Sequence, residues 1–185
     1  MPFLGLIRLM NGRQRIIDVN RSSDRLTAEL EGYPSKEIKP LLLLRLADRL
    51  LDSCFTRMLS TYSISASEYH TLAVLDVCDE GTSSPGVLSE LVGQTKANTT
   101  RILELLLAKK LIKKKKNIMD GRKHDITITK SGRDCVKLCT NSTVGPDTKS
   151  MMAGFSSSQL QDFESLLSQL ILVLDDKSRD GSFGS

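Results

Sequence analysis

The 185-residue chain has no tryptophan, three tyrosines and five phenylalanines, so aromatics make up only 4% of it. A leucine-rich composition so poor in large rings argues against a sheet sandwich and for a mainly helical protein. Histidine is scarce too. His70 and His124 stand alone, with no compact His/Cys cluster, so neither a metal nor any other cofactor is expected. The four cysteines, Cys54, Cys78, Cys135 and Cys139, form no CxxC pair and lie among apolar or helical residues, which argues against a disulfide scaffold and points to a reducing cytosol. No apolar run approaches membrane-spanning length. The opening MPFLGLIRLMNGRQRIID lacks the uninterrupted apolar core and small-residue cleavage site of a signal peptide. No carboxylate pair, nucleophile–base set or phosphate loop emerges, so an enzyme is not expected.

What is present is polarised charge. Between Gly93 and Lys137 thirteen bases face four acids, a net of +9 in a chain whose total is +4, leaving −5 for the remainder. Such a footprint suits a polyanion, whether nucleic acid or a membrane surface. The stretch LIKKKKNIMDGRKHDITIT, Leu111 to Thr129, lies at its centre.

Residues 1–35 show mixed charge without a sustained period, and read as an N-terminal extension of uncertain order. From Pro40 the run LLLLRLADRLLDSCFTRML places Leu43, Leu46, Leu50, Cys54 and Met58 on one helical stripe, with Leu44, Leu51, Phe55 and Leu59 beside it. That stripe is wider than one core needs, so a second chain or layer should cover part of it. Ser65 or Ser67 caps a second helix, with Tyr69, Leu72, Ala73, Leu75 and Val77 as inward candidates. Ser84 and Pro85 begin a short helix that stops at Gly93, and Thr95 caps a longer one in which Ile102, Leu105 and Leu106 should face in. Short helix, glycine-led turn and longer helix form a helix-turn-helix pattern. The runs Leu111–Asn117 and Lys123–Thr129 flank an Asp-Gly turn, predicting a hairpin directly after the second helix, the position of a wing. A helix over Lys130–Cys139, a break at STVGPDT and a final helix follow. Ser156 and Gln159 form a capping box for that last helix, and Leu160, Phe163, Leu167, Leu170 and Leu174 recur along it at three-four spacing.

The order of helices, helix-turn-helix, wing and closing helices resembles the MarR family of bacterial winged helix-turn-helix regulators. Its wing signature, Asp-x-Arg followed by Leu-Thr-x-x-Gly, is met by Asp120, Arg122, Ile128, Thr129 and Gly132, with isoleucine in place of leucine. The stretch GQTKANTTRILELLLAKKLI resembles the recognition helix of multidrug-efflux repressors in that family. The expected fold is mainly α with a small β-hairpin wing. Residues 36–176 form the domain, about 66–130 its DNA-binding lobe, and 177–185 a flexible tail. The resemblance implies a homodimer on a pseudo-palindromic double-stranded DNA operator, repressing transcription until a small aromatic or phenolic ligand releases it. Leu43, Leu46, Leu50, Leu160, Phe163, Leu167, Leu170 and Leu174, on the N- and C-terminal helices, are the dimerisation candidates.

For DNA contact the candidates are Thr95, Lys96, Asn98, Thr99 and Arg101, polar residues in the first two turns of the recognition helix, where side chains reach base edges in the major groove. Lys114, Lys116 and Lys123 would meet phosphates. Arg122 suits the narrow minor groove, whose negative potential attracts a guanidinium. By resemblance, Asp120 braces that arginine. A ligand pocket is implied where helices meet the DNA-binding lobe, with Cys54, Met58, Tyr62, Tyr69 and His70 as lining, although these residues also suit ordinary core. Two alternatives stay open: a redox-responsive regulator using a cysteine thiolate, and a winged-helix protein-interaction module without operator specificity.

Overall fold

The structure, a computed structural model, describes residues 11–117 and 124–180. It is mainly helical, with a small three-stranded antiparallel sheet. It divides into two compact units, residues 1–133 and 134–185.

In the first unit, α1 (Gly12–Glu29) forms where the sequence reading left an extension of uncertain order, and its half-buried Val19 and Leu26 flank the buried Ser23 at four- and three-residue spacing. The Asn11 side chain caps it, accepting from the Gln14 N–H at 2.9 Å. This helix packs on α2 (Ser35–Leu59), and Lys39 Nζ bridges to Asp24 at 2.6 Å. Helix α2 begins a full turn before Pro40, where the sequence pattern starts it. The Ile38 N–H already bonds the Pro34 carbonyl at 3.0 Å, and Glu37 lies in the first turn, where the helix dipole favours an acid. Pro40 sits inside the helix and withholds one N–H from it.

Helix α3 (Ala66–Val77) opens with a full capping box: Ser65 Oγ accepts from the Glu68 N–H at 3.2 Å, and Glu68 Oε2 accepts from the Ser65 N–H at 2.8 Å. Leu72 and Leu75 are buried, whereas Val77, expected inward, is 84% exposed at the last residue of the helix. Strand β1 (Thr82–Ser83), α4 (Pro85–Leu91), α5 (Lys96–Ala108), β2 (Ile112–Lys116) and β3 (His124–Ile128) complete the lobe. The strand order is β1-β3-β2. Leu59, Leu72, Leu75, Leu88, Ile102, Leu106, Ile112, Ile126 and Ile128 form the core beneath the sheet and helices. Leu103 takes the inward position expected of Leu105, which is 40% exposed.

Between α5 and β2 every backbone donor of the three-residue joint is used. The Lys109, Lys110 and Leu111 N–H groups donate to the carbonyls of Leu105, Leu107 and Leu106 at 3.1, 2.9 and 3.0 Å, with Lys110 in the left-handed region at φ 59°. The Thr129 hydroxyl reaches the Lys110 and Leu111 carbonyls at 2.9 and 3.0 Å and accepts the Gly132 N–H at 3.1 Å. Gly132 is required there, since a Cβ would lie 2.2 Å from the Leu111 carbonyl oxygen.

Helix α6 (Lys130–Cys139), whose bounds match the sequence expectation, begins at the end of the first unit; in the second the chain runs on from it through a π turn (Thr140–Val144) into α7 (Gly145–Met152). The break expected at STVGPDT is therefore absent. The Gly145 N–H bonds the Thr140 carbonyl, and this one-residue widening lets Pro146 follow without ending the helix. Helix α8 (Ser157–Asp180) starts from the anticipated box, with Ser156 Oγ accepting from the Gln159 N–H at 3.2 Å and Gln159 Oε1 accepting from the Ser156 N–H at 2.9 Å. Among the described residues no helix is long and apolar enough to cross a membrane.

Candidate nucleic-acid interface

The helix pair α4/α5 is built as its sequence predicts. Ser84 Oγ accepts from the Val87 N–H at 3.3 Å with Pro85 in the first turn, and α4 closes at Gly93, whose φ of 62° lets the chain reverse. Two residues later Thr95 Oγ1 caps α5 by accepting from the Asn98 N–H at 3.2 Å. Thr99, Ile102, Leu103 and Leu106 turn inward, while Lys96, Thr100 and Arg101 are exposed and Asn98 is half-buried.

Thr99 therefore leaves the set of DNA-contact candidates. It is 2% exposed, and its Oγ1 finds no hydrogen-bond partner, a polar residue occupying an inward position of the stripe. On the outer face, Asn98 Nδ2 donates to Gln94 Oε1 at 2.5 Å, and Arg101 Nη2 donates to Asn98 Oδ1 at 3.0 Å. Gln94 escaped the sequence reading, although a glutamine four residues before an asparagine was a visible signal.

All four lysines of β2 are exposed. The register pairs Ile112 with Ile128, Lys114 with Ile126 and Lys116 with His124, so Lys114 and Lys116 share the face that carries the buried isoleucines. Lys113 and Lys115 lie with Thr127 and Asp125 on the other face. Lys115 and Lys116 also border a shallow depression of about 230 Å³ with Asp79, Glu80, Thr82 and Asp125. Acids thus offset part of their attraction for phosphate. Lys113 and Lys114 lie outside that set. Asp120, Arg122 and Lys123 fall outside the described residues, between Lys116 and His124.

Polar contacts tie the strands to one another and the helices to one another. Thr82 and Thr127 share a hydroxyl–hydroxyl bond at 3.0 Å across β1 and β3, and Arg133 pairs with Asp76 of α3. Lys109 Nζ joins the end of α5 to the start of α3, donating to Glu68 Oε1 at 2.6 Å and to the Ser63 carbonyl at 2.8 Å. Burial alone would raise the Glu68 carboxyl, but the Lys109 ammonium and the Ser65 N–H and hydroxyl outweigh it and hold the group below its ordinary value.

Of the pocket candidates, Cys54, Met58, Tyr62 and Tyr69 are half-buried, whereas His70 is exposed on α3 and does not face an enclosed space. Among the described residues no group of His, Cys, Asp and Glu is arranged to hold a metal ion. Burial, with the neighbouring Cys135 adding to it, pushes the Cys139 thiol up to about 12, which makes it an inert core residue. On the dimerisation list Leu43, Leu46, Leu160, Leu167 and Leu170 are half-buried, and Leu50, Phe163 and Leu174 are exposed.

A two-helix unit with an exposed polar row at the start of its second helix, followed at once by a lysine-bearing hairpin, defines a winged helix-turn-helix protein. No family model matches the sequence, and no curated relative matches it. Solved structures do share the fold. A cysteine-to-serine mutant of MarR from E. coli complexed with operator DNA is 23% identical, with 72% of this chain and 95% of that one covered and a TM-score of 0.65. The MepR–DNA complex of S. aureus is 19% identical over 72% of this chain and 94% of that one, TM-score 0.63. A MarR family transcriptional regulator from Streptomyces coelicolor is 18% identical over 76% and 96%, TM-score 0.66. The fold is that of the MarR-type regulators.

Proposed function

We propose that this chain is a DNA-binding transcriptional regulator of the MarR type and not an enzyme. The observation that carries the reading is the polar row at the start of α5, with Lys96 and Arg101 exposed and Asn98 half-buried between them, joined to the lysine strand β2 on a fold also found in regulators solved on DNA. The helix would enter the major groove and read base edges; Lys114 and its neighbours would supply sequence-independent attraction. Arg122, in the connection between β2 and β3, is assigned to the adjacent minor groove on the sequence signature, with Asp120 as its brace.

The finer reading is a cytoplasmic repressor of the EmrR (MprA) efflux type, acting as a homodimer on a pseudo-palindromic operator with half-sites about 34 Å apart. Support for the dimer comes from surface that one chain leaves open. Leu50 and Leu51 on α2 and Phe163, Leu166, Val173 and Leu174 on α8 are all more than a third exposed, more apolar surface than a single helix presents to water without a partner. A small aromatic effector lodged near Cys54, Met58, Tyr62 and Tyr69 would shift the dimer only by its differential affinity for a non-binding lobe spacing.

Fluorescence anisotropy on the DNA upstream of its own gene, against a random duplex of equal length, tests the reading. Tighter binding to the former, by at least the about 10³-fold typical of specific regulators, is expected at physiological salt. Equal binding to both would replace the regulator with a nonspecific or protein-binding winged helix. Sedimentation of Leu170→Glu should give a monomer where wild type gives a dimer.

A further inference from the structure

Resting on the regulator reading above, we infer that Gln94, in the turn before the recognition helix, is a positioning residue that sets base discrimination by fixing the amide of Asn98. The row Gln94–Asn98–Arg101 has one possible polarity. A guanidinium only donates, so Arg101 must face the Asn98 oxygen; the Asn98 nitrogen must then face an acceptor, and Gln94 Oε1 supplies it at 2.5 Å. Two side chains thus hold one carboxamide from opposite ends, and neither Asn98 rotation nor an oxygen–nitrogen swap keeps both bonds.

The bonds used leave one bond of each kind free. A carboxamide has two N–H donors and two oxygen lone pairs. The internal row consumes one of each, so Asn98 keeps one donor and one acceptor, the set an asparagine offers to N7 and the exocyclic amine of adenine in the major groove. Released from Gln94, the amide is tethered at its oxygen alone, and the free N–H loses its fixed direction. The anchor itself is well placed. The Gln94 N–H bonds the Ser89 carbonyl at 3.0 Å, so this turn residue is tied to α4 while its side chain reaches α5.

The test uses the full-length protein and a duplex that wild type selects from a random-sequence pool. If wild type enriches no sequence, the regulator reading fails and this inference with it. If it does, the ratio of specific to random affinity is measured for Gln94→Met, which keeps the length of the side chain without the acceptor, and for Gln94→Glu, which keeps the acceptor. Gln94→Met is expected to lower the ratio about tenfold, within the range of one good base pairing. Gln94→Glu adds a charge that weakens both duplexes alike and so restores the ratio. A second readout replaces each selected adenine in turn by 7-deazaadenine, which lacks the N7 acceptor: wild type should lose affinity at one position, and Gln94→Met should lose markedly less there. An unchanged ratio in Gln94→Met, a ratio in Gln94→Glu as poor as in Gln94→Met, or equal 7-deazaadenine penalties in wild type and Gln94→Met would each overturn the assignment.

Discussion

Replacing Lys109 by methionine isolates the ion pair that joins α5 to α3. The Glu68 side chain is 4% exposed and its Oε1 takes the Lys109 ammonium at 2.6 Å; Oε2 stays with the Ser65 N–H. Stripping the partner from a fully buried pair costs about 3–5 kcal/mol, but Lys109 is 36% exposed and water screens part of the attraction, which brings the expected loss to about 1.5–3 kcal/mol. For a chain of this size that is a fall in Tm of roughly 3–12 °C. The pH dependence gives the sharper check. In wild type Glu68 is held below its ordinary 4.5, so its contribution is present above the unfolded value and is lost as pH falls through the folded one. Without Lys109, burial is opposed by the Ser65 N–H and hydroxyl alone, so the carboxyl rises from its wild-type position and the charged form loses most of what stabilised it. The gap between wild type and Lys109→Met should be widest near neutral pH and close below about pH 4. Glu68→Gln, which keeps the cap and removes the charge, should cost about 1 kcal/mol with little pH dependence. Urea titrations from pH 7 to pH 3.5 measure all three. A gap that stays constant with pH would refute the role given to this pair.

Gly132→Ala should destabilise by about 2–4 kcal/mol in urea, because its methyl meets the Leu111 carbonyl rather than a movable side chain. Thr99→Val should gain about 0.5–1 kcal/mol by removing a buried hydroxyl without a partner, and DNA affinity in anisotropy should not move. Lys114→Gln is expected to weaken specific and random DNA alike and to reduce the log–log salt slope by about 0.9, whereas Arg122→Ala mainly erodes the specific complex; equal losses in both assays for Arg122→Ala would end that division.

The parts of the fold legible in the sequence are those decided within a few residues. Ser65 with Glu68 and Ser156 with Gln159 announce their helices because a cap and its partner are three positions apart. The hairpin was legible for the same reason: Ile126 and Ile128 alternate with Thr127 and Thr129. Strand β1 was not, since its two residues exist as a strand only by pairing with Thr127 and Ile126, more than forty positions away. At the candidate interface the polar start of α5 was readable from the Thr95 cap. Its phase was not, because Thr99 fills an inward position and Leu105 an outward one, the reverse of what polarity suggests. Helix α1 hides its inward stripe because a serine, Ser23, occupies the buried position between Val19 and Leu26, and the segment through Pro146 stays helical only by widening one turn, a device no local preference reveals.

The joint at Lys109–Leu111 carries a mechanical consequence. With its backbone donors committed and its carbonyls clasped by Thr129, it has no slack bond to pivot on, so α5 and the hairpin behave as one lever arm. Lengthening or twisting the reach from helix to hairpin would break several of these bonds together. Change in that reach is therefore dearest within this joint and cheapest outside it.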